Sequence, residues 1–314
     1  MRRRVVNFVG ILHPDNGNNS HRLVMRIMGN DIVYKLAHTE LAAIQWLSKD
    51  SSDIKILSLH GWLDNAASFS QLAPYLSDYT HTALDLAGHG LSSHRPAGSF
   101  YHLWDYVLDL VSVLSQSKQS VWLIGHSMGG AVAMLVAAIA PDKVRGLIVL
   151  DNIGPMSGSA TERVGHLQRA VNKMAKLKQG RETSYPSEEA MVLARMEGFT
   201  KLSKAASQNL VSRGARWSDS QCWVWRHDIK LTFPSPFRMD ETGVEAFIQE
   251  IKCPTLVLLA KDGIYQSHPE VVDQRIKQFP WVKMKWLDGN HHFHLESESS
   301  FEVATEIKQF IDQN

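Results

Sequence analysis

The segment Gly125-His126-Ser127-Met128-Gly129 sets one hydroxyl between two glycines, the pattern G-x-S-x-G, between an apolar run at 121–124 and a second run opening at Met128. Such a turn, joining a buried strand to a helix, holds its serine in a strained conformation above the end of a sheet. The glycines suit it, because a side chain at Gly125 or Gly129 would meet the neighbouring strand or helix. The positive end of the following helix would point at the hydroxyl. The chemistry implied is nucleophilic attack, with Ser127 as the nucleophile. The pattern alone is weak: with Gly and Ser each near 7% of residues, it arises by chance in about one chain in ten of this length. Its weight comes from what else the chain supplies.

A serine hydroxyl needs a base within hydrogen-bond reach, a carboxylate to orient that base, and donors for the oxyanion that forms. The base is expected in Asp288-Gly-Asn-His-His-Phe-His294, just beyond the last apolar run, where an open α/β sheet places its site. His291, His292 and His294 compete, and the position of a triad base favours His291. The acid is expected at Asp262, which leaves a strand end with Gly263 making the turn. Asp151, at the end of the run 146–150, is its rival. Both satisfy the order serine, acid, histidine; the glycine turn favours Asp262. Asp288 lies too near the base in sequence to orient it. The oxyanion donors are read as the N–H groups of Met128, directly after the serine, and Trp62, with Gly61 letting the backbone approach a ligand. His60, His89 and His126 read as structural histidines that hold loops. The histidines at 291–294 have no Cys or carboxylate partner at a recognisable ligand spacing, so no metal is expected, and no cofactor.

The elements that must position these groups alternate between strand and helix almost throughout, which predicts a parallel sheet covered on both faces. Strands are expected at 32–36, 41–47, 54–59, 81–86, 121–124, 146–150, 255–259 and 282–287. Several are continuous apolar runs, as for strands buried on both sides; the first two alternate more and suit an antiparallel edge. Helices are expected at 100–116, 128–140, 268–279 and 299–313, with Pro141 stopping the second. From 152 to 243 no strong strand pattern occurs. Helical spacing at 161–179 and a helix start at Ser187, followed by two acids, suggest a helical cap inserted after the sixth strand. Trp217, Trp223 and Trp225 are candidates to line a substrate pocket; the alternative is that they glue the cap to the main domain. The expected organisation is an extension at 1–30, a core at 31–151 and 244–314, and a cap at 152–243.

The chain has 314 residues, 44% of them hydrophobic and 21% charged, with a net charge of +1. That describes a globular protein with no call for nucleic acid or an anionic membrane surface, and no apolar run spans a bilayer. Met1-Arg-Arg-Arg4 and the apolar run 5–12 resemble the start of a signal peptide. Asn7 and the following His13-Pro14-Asp15 argue against one, and Met25 or Met28 could be the true start. Cys222 and Cys253 form no framework, and Cys253 before Pro254 reads as a buried thiol. A cytoplasmic protein is expected, monomeric or homodimeric, acting on a small molecule.

Together these residues resemble the α/β-hydrolase superfamily, and within it the serine hydrolase-like proteins. The resemblance runs from about residue 40 to the C-terminus. It is carried by Leu59-His-Gly-Trp-Leu-Asp-Asn-Ala-Ala-Ser-Phe69, Asp85-Leu-Ala-Gly-His-Gly-Leu-Ser92, Gly125-His-Ser-Met-Gly-Gly130, Trp225-Arg-His-Asp228, Cys253-Pro254 and Gly289-Asn-His291. It implies an eight-stranded, mostly parallel sheet with helices on both faces and a cap after strand six. The family pattern Gly-x-Gly-His-aromatic, aligned on His294 and Glu296, puts the base at His291 and leaves His292 at the aromatic position, a departure from the pattern. Members that open epoxides or cleave carbon–halogen bonds carry an aspartate nucleophile, so the resemblance implies that Ser127 forms an acyl-enzyme on a carboxylic ester. The alternatives are carbon–carbon hydrolysis or perhydrolysis by the same triad, or a non-catalytic small-molecule-binding protein on a hydrolase scaffold.

Overall fold

The computed structural model describes residues 29–49, 52–177 and 183–314. The expected extension at 1–30 thus lies almost wholly outside the described residues, as do the alternative starts Met25 and Met28.

Along the chain, β1 (Asn30–Lys35), β2 (Glu40–Trp46), β3 (Lys55–Leu59) and β4 (Thr80–Leu84) precede helix α1 (Leu103–Leu114). Then come β5 (Val121–His126), α2 (Met128–Ile139) and β6 (Val144–Leu150). The insertion follows with α3 (Arg163–Ala175), β7 (Ser184–Tyr185), α4 (Glu188–Met196), α5 (Lys204–Gly214), β8 (Ala215–Trp217) and β9 (Trp223–Trp225). Helix α6 (Glu241–Glu250) returns to the core, and β10 (Thr255–Asp262), α7 (Pro269–Lys277), β11 (Lys283–Asn290) and α8 (Ser300–Asp312) close the chain.

All eight expected strands form one sheet in the order β1-β2-β4-β3-β5-β6-β10-β11. The pairs β1–β2 and β2–β4 are antiparallel, and the remaining pairs are parallel. The side-chain period of two explains why β5 is apolar without interruption from Val121 to Ile124. Val121 and Leu123 of β5 enter the core under α1, α2, α6 and α7, while Trp122 and Ile124 enter the opposite core under α8. Both faces are filled, so neither side of the strand can be polar.

Two features depart from the sequence reading. The insertion is not wholly helical: β7, β9 and β8 make a small antiparallel sheet. Strands of two or three residues are too short to show a periodicity. Helices α5 and α6 also lacked a pattern strong enough to read; α6 buries Val244 and Ile248 in the main core, beyond the cap. The predicted helix start at Ser187 is present, its hydroxyl accepting from the Ala190 N–H at 3.1 Å, with Glu188 and Glu189 in the first turn. Among the described residues no helix is long and apolar enough to cross a membrane.

Candidate active site

Ser127 stands between β5 and α2 with φ 50° and ψ −119°, a backbone state that L side chains seldom adopt. The strain is held from both sides. Its N–H donates to the Leu150 carbonyl at 3.0 Å, and its carbonyl accepts from the Ala131 N–H at 3.1 Å. A Cβ on Gly129 would lie 2.2 Å from the Leu59 carbonyl oxygen, and one on Gly125 would lie 2.5 Å from the Gly129 carbonyl oxygen. Bare glycines therefore let α2 start hard against the end of β3. Ser127 itself stays partly exposed. Met128 is the first residue of α2, so its N–H has no partner within the helix and is available to an anion beside the serine.

The structure brings His291 to a carboxylate, and that carboxylate is Asp151. His291 Nδ1 donates to Asp151 Oδ2 at 2.5 Å. Asp151 is fully buried at the end of β6, and its carboxylate also accepts from the N–H groups of Ala260 (3.0 Å) and Ile264 (3.1 Å). The expectation for Asp262 is corrected: its side chain is exposed, and it sits in the ladder opposite Asn290. The Gly263 turn that favoured Asp262 serves its rival. A Cβ at Gly263 would stand 2.4 Å from Asp151 Oδ2, so the glycine is there to admit the Asp151 carboxylate. With Nδ1 committed to Asp151, the ring nitrogen His291 has left for a proton transfer is Nε2. The loop is tied back to the serine turn, because His126 Nε2 donates to the His291 carbonyl at 2.9 Å.

His292 and His294 are placed otherwise. His292 has both ring nitrogens engaged, Nε2 with Asp64 Oδ2 at 2.9 Å and Nδ1 with the Thr200 hydroxyl at 3.2 Å. His294 Nε2 meets the Ser68 hydroxyl at 2.9 Å inside the core. Burial pushes the pKa of His126, His292 and His294 down, so all three are neutral near pH 7. For Asp64 burial acts upward, but His292 and Arg195 outweigh it and hold the carboxyl well below its usual range.

Trp62, expected to supply the second donor, lies on the loop after β3. His60 fixes that loop, donating from Nδ1 to the Gly61 carbonyl at 2.7 Å and accepting the Leu86 N–H on Nε2 at 3.0 Å. Gly61 allows His126 to pack close, since a Cβ there would lie 2.9 Å from His126 Nδ1. The Trp62 indole reaches across to the insertion and donates to the Leu231 carbonyl at 2.8 Å. The aromatic trio belongs to the insertion. Trp223 and Trp225 pack on Met191, Val192, Val211 and Ala215, a small core within the insertion, and Trp217 lies exposed against Trp223. Sequence reading did not find Asp64 and Arg195. Asp64 lies only three residues past Gly61, yet nothing in its spacing marks it, and Arg195 looks like any basic residue on a helix.

A strand–turn–helix serine, a histidine from the loop after the last strand, and an aspartate from a third strand end define a hydrolase scaffold. The chain belongs to the alpha/beta hydrolase fold family, whose family model matches residues 55–264. A serine hydrolase-like protein of Dictyostelium discoideum is 31% identical over 285 residues, covering 87% of this chain and 78% of that one. Serine hydrolase-like protein 2 of Homo sapiens is 33% identical over 291 residues, covering 86% and 90%. The crystal structure of a hypothetical protein from Pseudomonas aeruginosa PAO1 superposes with a TM-score of 0.83 at 34% identity, covering 90% of this chain and 99% of that one.

Proposed function

We propose that this chain is a serine carboxylic-ester hydrolase whose triad is Ser127, His291 and Asp151. Ser127 Oγ attacks the ester carbonyl carbon while His291 Nε2 takes the hydroxyl proton. The oxyanion accepts hydrogen bonds from the Met128 N–H and the Trp62 N–H. The carbon–oxygen bond to the alcohol breaks, the alcohol leaves with the proton from Nε2, and an acyl-enzyme remains. Water then gives a proton to Nε2 and attacks the acyl carbon; the carboxylic acid leaves and the proton returns to Ser127.

The observation that carries this reading is the 2.5 Å contact between His291 Nδ1 and a fully buried Asp151. It fixes the tautomer that leaves Nε2 free to act as a base, on a loop hydrogen-bonded to the residue before the serine. The kinship with serine hydrolase-like proteins supports a serine nucleophile. The test is labelling by a fluorophosphonate together with hydrolysis of p-nitrophenyl esters of increasing chain length. Wild type is expected to be labelled and active, and Ser127→Ala to lose both. An Ala variant that kept full esterase activity would overturn the assignment.

A further inference from the structure

A second carboxylate–histidine pair lies beside the first, and the hydrolytic reading makes no use of it. Asp64 is buried on the same loop as Trp62. Its Oδ1 accepts from Arg195 Nη2 at 2.8 Å, and its Oδ2 accepts from His292 Nε2–H at 2.9 Å. The Thr200 hydroxyl donates to the other side of His292, at 3.2 Å. Arg195 Nη1 in turn donates to the Thr200 carbonyl at 3.3 Å. Arg195 lies in the last turn of α4 and Thr200 follows the helix, so both belong to the insertion. The same stretch is pinned to the histidine loop again, where the Ser203 N–H donates to Glu296 at 2.9 Å.

Three segments therefore meet on one buried carboxylate: the loop with the oxyanion donor, the loop with the base, and the insertion. Asp64, His126 and His292 also offer three atoms within 4.8 Å of one another, a set that could hold a metal ion. Arg195 argues against that use. Its guanidinium already neutralises Asp64 and stands 3.3 Å from His292 Nε2, so an ion would have to displace a partly buried cation. An ion pair with its carboxylate fully buried and its cation mostly covered is a costly way to fasten two segments, because both partners lose water and apolar packing would serve as well. What it adds over apolar packing is directional geometry, in surroundings where each bond is strong.

We infer that Arg195, Asp64, His292 and Thr200 form a positioning clamp that couples the seating of the insertion to the alignment of the Trp62 donor and the His291 base. Arg195 and Thr200 touch neither substrate nor reacting atoms; they act through Asp64 and His292. The inference rests on the triad reading above, and the test separates the two. Steady-state hydrolysis of p-nitrophenyl butyrate and the rate of fluorophosphonate labelling are measured for wild type, Arg195→Met, Arg195→Lys and Thr200→Val, with thermal midpoints alongside.

The clamp predicts that Arg195→Met lowers kcat and the labelling rate by about 10- to 100-fold, the scale of a catalytic group displaced by an ångström, with KM within about two-fold. Arg195→Lys restores most of the rate by restoring a donor to Asp64. Thr200→Val, which keeps volume, gives a smaller loss of the same kind and stands in should Arg195→Met fail to fold. Unchanged kcat in a folded Arg195→Met or Thr200→Val protein, or a change confined to KM, overturns the clamp. A wild type that is not labelled at Ser127 overturns the triad reading instead.

Discussion

Asp151 and Asp262 show what a single carboxylate must do to orient an imidazole. Both close a strand, and both lie between serine and histidine in the chain. Only Asp151 is buried, and it is held by two backbone N–H groups as well as by His291. Those donors hold the carboxylate in place without displacing the imidazole, which then carries its proton on Nδ1. Asp151→Asn should therefore reduce kcat by about 10³- to 10⁴-fold by offering the wrong hydrogen-bond character to Nδ1. Asp262→Asn should leave kcat within about two-fold, as expected for an exposed carboxylate outside the His291–Asp151 pair. Steady-state kinetics on one ester substrate checks both. Gly263→Ala is the sharper probe, since its backbone accepts alanine but the added methyl would overlap the Asp151 carboxylate. It should cost about 1–3 kcal/mol of stability and lower kcat while Asp151 itself is unchanged; urea melts and kinetics read the two effects separately.

At the scale of elements, the legible parts were those that repeat a pattern over many residues. The eight strands and the helix after Ser127 could be read because each central strand faces a core on both sides and α2 is buried nearly all round. The carboxylate that contacts His291 was not legible, because sequence shows which residues adjoin a glycine, not which strand lies next to it. Here β10 lies between β6 and β11, so the turn after β10 can receive Asp151 from β6 and meet the loop after β11. The cap sheet escaped for want of length, and its tryptophans read equally as a ligand wall or as packing because aromatic clusters in cores and in pockets have the same composition. In the fold, Trp225 packs on Val211 and Ala215, and its indole N–H donates to the Tyr185 hydroxyl at 3.3 Å. Trp225→Ala should destabilise the cap by about 2–3 kcal/mol, below the cost of a fully buried aromatic because the ring is only partly covered. Limited proteolysis is expected to cut within 152–243 before the main domain, with chain-length preference little altered. Loss of chain-length preference at unchanged protease resistance would return Trp225 to the pocket.

Across the whole molecule, the feature with the widest consequence is the number of histidines buried as neutral rings. Burial pushes His81 down to about 3 and His227 to about 4, and it lowers His60, His89, His126, His292 and His294 as well. In the unfolded chain each titrates near 6.5. Above that value neither state binds the proton, and the stability tied to these rings is fully present. Below it the unfolded chain takes up protons that the folded chain refuses, so unfolding becomes easier as pH falls. Each ring contributes about 1.4 kcal/mol per pH unit until its folded value is reached. The urea midpoint should therefore be level between pH 8 and 7 and drop steeply from 6.5 downward. His227, which stacks on Trp225 outside the triad, offers the control. His227→Gln should reduce the slope by about 1.4 kcal/mol per unit between 6.5 and about 4, while leaving the slope due to the other rings. A midpoint that stayed flat from pH 7 to 5 would mean that these rings take up protons without unfolding. The neutral state of His126 and His292 would then have to be abandoned.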